Sequence, residues 1–220
     1  MLPPQIGFEL IYSFVIIACS LLVYHATREM YDLSKYNGIK FFRYSFLFFA
    51  VAYFFRYFIQ FVLLSLGLNS ILDFSPNFIG WVSLFVFLYL SSMAVFYLLY
   101  SLMWKKWGDS KLKNLLFHFL AVVIALIGLS FRGAEMYLIL NVIILGFVLF
   151  VLFIAYKDSK KKKKDSGLFI IYLLLFIFWI LNVIDILLPS FLQLFQLIIY
   201  LISISLFMVI LYKVLRKSGN

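Results

Sequence analysis

An apolar stretch around residue 56 contains three polar side chains that are spaced for one helix face, and one of them is charged. Arg56 lies three residues after Tyr53 and four before Gln60, so all three share one face of a helix. An ionised group in hydrocarbon costs about 2.5–3.5 kcal/mol on insertion scales and is by default a candidate functional residue. Arg56 therefore indicates a ligand- or ion-binding site, with Tyr53 and Gln60 beside it.

The opposite charge that a buried arginine requires must come from a distant part of the sequence. Asn182 and Asp185 are three residues apart and share a helix face. A rise of 1.5 Å per residue puts Asn182 near the depth of Arg56 and Asp185 near that of Gln60, so Asp185 is the first carboxylate candidate. Glu9, near the start of the first apolar stretch, is the second carboxylate candidate. We therefore predict a polar pocket that opens toward the outside and is lined by these residues.

A purely structural interpretation of the same residues also stays open. An Arg–Asp pair can serve only to fix the relative positions of two helices. The amide of Asn182 can form an ordinary hydrogen bond between helices, which is worth about 0.6 kcal/mol. Glu9 can be a hydrated charge at a helix start, where the helix dipole favours it.

Apolar stretches long enough to cross a bilayer carry these residues. The chain is 66% hydrophobic and 13% charged, against about 45–50% and about 25% in soluble domains, which excludes a soluble enzyme, a disordered chain and a disulfide scaffold. A spanning helix needs about 20 mostly apolar residues. We predict an all-α integral membrane protein, a single seven-transmembrane-helix bundle over 1–220. Its expected spans are roughly 6–26, 43–66, 79–103, 114–131, 135–156, 167–188 and 191–212.

The basic residues orient this bundle. Apart from Arg56 and Arg132, all of them lie in alternate connections or in the C-terminal tail. By the positive-inside rule we predict an external N-terminus, a cytoplasmic C-terminus and a multi-pass protein of the cell membrane. The lysine run at 157–167 is then a cytoplasmic loop in contact with anionic lipid headgroups, worth about 1 kcal/mol per basic residue. Nucleic acid is not an expected partner.

Sequence motifs for catalysis or cofactor binding are missing. The two histidines, His25 and His118, have no cysteine or carboxylate spacing typical of a zinc site. No phosphate-binding glycine loop or nucleophile elbow is present. We predict no cofactor, no metal and no catalytic residue, and an enzyme is not favoured, although a dyad split between helices stays open. In span four, Ala121, Ala125 and Gly128 form a smooth face where a neighbouring helix can approach.

Two functions remain for a chain of this kind. The first is a receptor or sensor-like binding module that takes a small molecule or ion in the outer pocket and signals to a separate cytoplasmic partner. The alternative is a small transporter with a three-plus-one-plus-three arrangement of helices. The interval from Glu9 to Arg56 equals that from Glu135 to Asn182, 47 residues in both cases, which favours the alternative.

Overall fold

The computed structural model describes residues 4–58, 76–108, 111–130, 134–162, 166–188 and 192–218, and the regular structure within these ranges is entirely helical. A five-residue π-helix, Phe54–Phe58, continues the second helix. The α-helices are α1 (Pro4–Ser34), α2 (Asn37–Tyr53), α3 (Pro76–Trp107), α4 (Lys111–Ser130), α5 (Ala134–Lys162), α6 (Ser166–Leu187) and α7 (Gln193–Ser218).

Seven helices in the described part of the chain are long and apolar enough to span a membrane, and they point to a multi-pass membrane protein. The all-helical class and the number of candidate spans are thus confirmed. Several helices run beyond the predicted spans: α1 continues to Ser34 and α2 already begins at Asn37. Apolar length detects only the hydrocarbon-crossing part of a helix, whereas the added residues include charged side chains such as Arg28 in α1 and Lys40 in α2. Residues 59–66 of the second predicted span lie outside the described residues.

Six of the helices pack into a closed ring in the order α1, α2, α3, α5, α6, α7 and back to α1. Each contributes to one buried core, which is centred on large aromatic side chains such as Phe46, Phe49, Phe178 and Phe207. Helix α4 lies outside this ring, mainly against α3 and with a smaller contact to α5. The ring has two ends, called here the carboxylate end, with Glu9 and Asp185, and the lysine-rich end, with Lys105 and Lys217.

The outward faces of the helices are apolar. On α5, large side chains are exposed at helical spacing along the length of the helix: Ile139, Ile143, Phe147, Phe150 and Phe153. An apolar surface of this extent is typical of contact with lipid or with another apolar surface. The fold therefore places its aromatic residues both in the core of the ring and on its outside.

The small-residue face predicted for span four is confirmed as a packing face. Ala121 and Ala125 are fully buried, and Gly128 is buried beside Leu88 of α3 and Leu140 of α5. A Cβ atom at Gly128 would overlap the Leu88 side chain and lie 2.9 Å from Cδ1 of Leu140. Gly146, on the exposed face of α5, would meet nothing within 4 Å.

These two glycines give a matched test of how α4 is attached. We expect Gly128→Val to destabilise the protein by about 1–3 kcal/mol, since extra volume in a packed contact forces its neighbours to move. The melting temperature in detergent should fall by several degrees. Gly146→Val, a control with the same added volume, should leave the melting temperature within about a degree. Equal losses in the two variants would contradict the assigned packing of α4.

Candidate functional site

Charged groups from three helical segments meet at the carboxylate end of the ring. Glu9 lies in the second turn of α1, Arg56 in the π-helix after α2, and Asp185 in the last turn of α6. Glu9 and Asp185 each interact electrostatically with Arg56 and with one another. All three side chains are half-buried. We call Glu9, Arg56 and Asp185 the charged cluster.

The local backbone at Arg56 is unusual. Arg56 is the middle residue of the π-helix Phe54–Phe58, a form that is rare in proteins and occurs frequently at functional sites. The Arg56 guanidinium carbon lies 4.9 Å from the centroid of the Phe87 ring on α3, which is within the range of a cation–π interaction. Arg56 thus connects α3 to the two carboxylates on α1 and α6.

A row of hydroxyl and amide groups lies directly below the charged cluster. The Tyr12 and Tyr53 hydroxyl oxygens are 3.3 Å apart, and the Tyr53 hydroxyl donates to Oδ1 of Asn182 at 2.9 Å. The Asn182 amide in turn donates to the Phe178 carbonyl oxygen at 3.0 Å. These bonds join α1, α2 and α6, so polar groups in this layer of the bundle form a connected network.

Tyr200 of α7 completes the site. Its ring stacks on that of Tyr12 with centroids 4.7 Å apart, and its hydroxyl interacts with the Asp185 carboxylate. The other carboxylate oxygen, Oδ1 of Asp185, is buried and has no hydrogen-bond partner among the described residues. A buried acceptor without a donor is costly and leaves a place for a donor at this point.

A cavity of about 320 Å³ opens beside the cluster, between the starts of α1 and α7. Glu9 and Tyr200 belong to both the site and the cavity wall. The remaining wall is partly polar: it is formed by Phe8, Gln193, Leu194, Gln196 and Leu197. The arrangement offers a carboxylate, two carboxamides and a phenol to a small polar molecule.

The structure thus brings together five of the six residues singled out from the sequence. Glu9, Tyr53, Arg56, Asn182 and Asp185 gather at one end of the ring, whereas Gln60 lies outside the described residues. Their assignment as ligand-binding residues stays a prediction. In the described part of the chain no group of three or more His, Cys, Asp or Glu side chains could hold a metal ion.

Sequence reasoning did not assign five residues to this site. It missed Tyr12, Phe87 and Tyr200, and it interpreted Gln193 and Gln196, which line the cavity, as structural hydrogen-bonding residues between helices. The three missed residues are aromatic, and the chain has 28 Phe and 15 Tyr, so an aromatic residue carries little signal by itself. Tyr12 could have been found, because it follows Glu9 by three residues on the same helix face.

Comparison with known proteins finds a relative along the whole chain. A protein of Archaeoglobus fulgidus, described as uncharacterized, is 34% identical over an alignment of 233 positions, which covers 99% of this chain and 98% of the relative. No family model matches the chain. No solved structure matches it. The description of the archaeal relative assigns no function, so a functional proposal depends on the geometry above.

The charged cluster predicts an order of stabilities. Arg56→Met leaves two carboxylates without their cation and should cost about 2 kcal/mol, less than for a fully buried pair because the cluster is half-exposed. Asp185→Leu should cost less, since Glu9 still accompanies Arg56. The double variant, Arg56→Met with Asp185→Leu, should recover more than half of the loss. Thermal unfolding in detergent measures all three, and a double variant no more stable than Arg56→Met would contradict the pairing.

Proposed function

We propose that this chain, which belongs to the same family as the Archaeoglobus fulgidus protein, is a receptor or sensor-like binding module of the cell membrane. Its N-terminus would lie outside and its ligand would bind at the carboxylate end. The observation that carries this proposal is the charged cluster beside an open cavity of about 320 Å³. Ionisable groups within apolar helices are retained mainly for a function.

The composition of the site indicates the class of ligand. The cluster contains two carboxyl groups and one guanidinium, so a cationic ligand would balance the second carboxylate. The carboxamides of Gln193 and Gln196, on the cavity wall, offer hydrogen bonds of both kinds. A small molecule with an ammonium group and further polar atoms fits these groups best.

Signalling would use the helices that reach from this site to the other end of the ring. Glu9 and Tyr200 belong to α1 and α7, which pack on each other and run to the lysine-rich end. A ligand that binds one packing of these helices more tightly than another shifts the balance between the two. A cytoplasmic partner would read that shift at the lysine-rich end.

One observation favours the transporter as a second candidate. If α1, α2 and α3 are exchanged with α5, α6 and α7, every neighbouring pair in the ring maps onto another neighbouring pair, while α4 stays outside. This is the contact pattern that a three-plus-one-plus-three arrangement requires. Transporters built from such repeats bind their substrate at the interface of the repeats.

The orientation can be tested with single cysteines. The native Cys19 is buried and is replaced by serine, after which one cysteine is introduced at an exposed position of each end, Leu194→Cys or Lys106→Cys. A membrane-impermeant maleimide should label Leu194→Cys in intact cells and Lys106→Cys only after permeabilisation. The opposite pattern would reverse the proposed orientation.

The ligand class can be tested by thermal shift on the purified protein. Methylammonium, choline and glycine serve as cationic or zwitterionic probes, with acetate, phosphate and glucose as controls. A ligand at about 100 times its Kd should raise the melting temperature by about 5–10 °C. Glu9→Gln should abolish most of this shift. Glu29→Gln, which removes an exposed carboxylate near the other end of α1, should preserve it.

Two results would contradict the binding proposal: an equal shift with acetate or glucose, or a shift that survives Glu9→Gln. The receptor and the transporter are then separated by loading the active probe into reconstituted vesicles. Flux that disappears in Arg56→Met would identify a transporter. A thermal shift without flux would support the receptor.

A further inference from the structure

Two adjoining cavities lie at the lysine-rich end of the ring, opposite the proposed ligand site. The inner cavity has a volume of about 100 Å³ and the outer one about 280 Å³, and Tyr36, Ser101 and Leu168 line both. Leu168 is 38% exposed, so this shared wall reaches the surface of the bundle. We call the two together the double cavity.

The walls of the double cavity differ in chemistry from inside to outside. Phe42, Ile171 and Val214 make the inner part largely apolar, and Lys217 also lines it. Lys105 and Lys106, both exposed, stand at the outer part. Asp158 also lines the outer part, and it is outnumbered by these two lysines. An apolar hollow with a cationic mouth is complementary to an anionic amphiphile.

Tyr36, in the connection between α1 and α2, lies on the wall that the inner and outer cavities share. A Cβ atom at Gly38 would overlap the Tyr36 ring and lie 2.9 Å from the Ser101 carbonyl oxygen, so glycine allows the start of α2 to approach α3. Lys105 Nζ lies 5.7 Å from the centroid of the Tyr36 ring. Burial and the nearby charge of Asp158 raise the pKa of the Tyr36 phenol, which keeps it a neutral hydrogen-bond donor.

We propose that the double cavity binds one anionic phospholipid, that is, a membrane lipid whose phosphate charge is not neutralised by a cationic headgroup. The lipid phosphate would lie beside Lys105 and Lys106, and the first part of its chain would pack on Leu168 and Ile171. The support is charge complementarity at the mouth together with an apolar interior. This is a defined site between helices, and it differs from the diffuse attraction that any basic loop exerts on an anionic bilayer.

The test compares lipids that differ only in headgroup. The purified full chain in detergent is titrated with dioleoyl phosphatidylglycerol or dioleoyl phosphatidylcholine, and the retained lipid is counted by native mass spectrometry. We expect one phosphatidylglycerol per chain and little phosphatidylcholine. One lysine beside an anionic lipid is worth about fivefold in affinity. Lys105→Gln with Lys106→Gln should therefore weaken phosphatidylglycerol binding by about thirtyfold.

The matched control removes two lysines that do not line the double cavity. Lys157 and Lys160 are exposed at the same end, over the rings of Phe153 and Tyr156. Lys157→Gln with Lys160→Gln should leave binding within about twofold. Equal weakening in both double variants would overturn the proposal in favour of diffuse attraction.

Two further arms keep the outcome clear. Leu168→Trp fills the exposed shared wall and should prevent retention of the lipid, while an unchanged melting temperature in phosphatidylcholine shows that the variant is folded. Retention of the lipid in Leu168→Trp would overturn the proposed position of the lipid's acyl chain against Leu168. Glycerol phosphate alone should raise the melting temperature far less than the lipid; an equal effect would identify a soluble phosphate as the occupant.

Discussion

A charge among apolar helices must have an opposite charge or water beside it, and this constraint determines how the carboxylate end is built. Arg56 is accompanied by Glu9 and Asp185 and rests on the ring of Phe87. Because Arg56 has to stay close to these partners, the ends of α1, α2, α3 and α6 are fixed relative to one another. Loss of Arg56 would leave two carboxylates without a cation, so a movement of any of these helix ends changes the balance of charge in the cluster.

The middle of the ring is held together by the packing of aromatic side chains and not by paired charges. Phe46, Phe49, Phe178 and Phe207 are buried almost completely, and rings such as Phe178 and Phe207 pack edge to face with centroids 4.6 Å apart. This aromatic layer separates the charged cluster from the double cavity. The two ends therefore have separate chemistry, and a signal or a solute that passes between them has to change the packing of this layer.

The sequence predicts the helices well because a helix that spans a membrane needs a long uninterrupted run of apolar residues, and such a run is visible in the sequence. It also predicts Arg56, Asp185 and Asn182 at one end, since helical rise converts residue number into depth. It could not predict which helices are neighbours. Helix α5 is apolar all round, and such a pattern does not distinguish a buried face from an exposed one. Tyr12 and Tyr200 were missed because aromatic residues are so frequent in this chain that one of them carries little signal by itself. The π-helix at Arg56 has no recognised signal in the residues around it.

The placement of α4 outside the ring bears on how the ring could work. Helix α4 contributes no residue to the central core, and its small-residue face packs mainly on α3. The ring itself is closed by the α3–α5 and α7–α1 contacts, which join the first three helices to the last three. Glu9 on α1 and Tyr200 on α7 lie at the second of these joints. A ligand in that cavity would act directly on the contact between the two halves, whether their movement carries a signal or a solute.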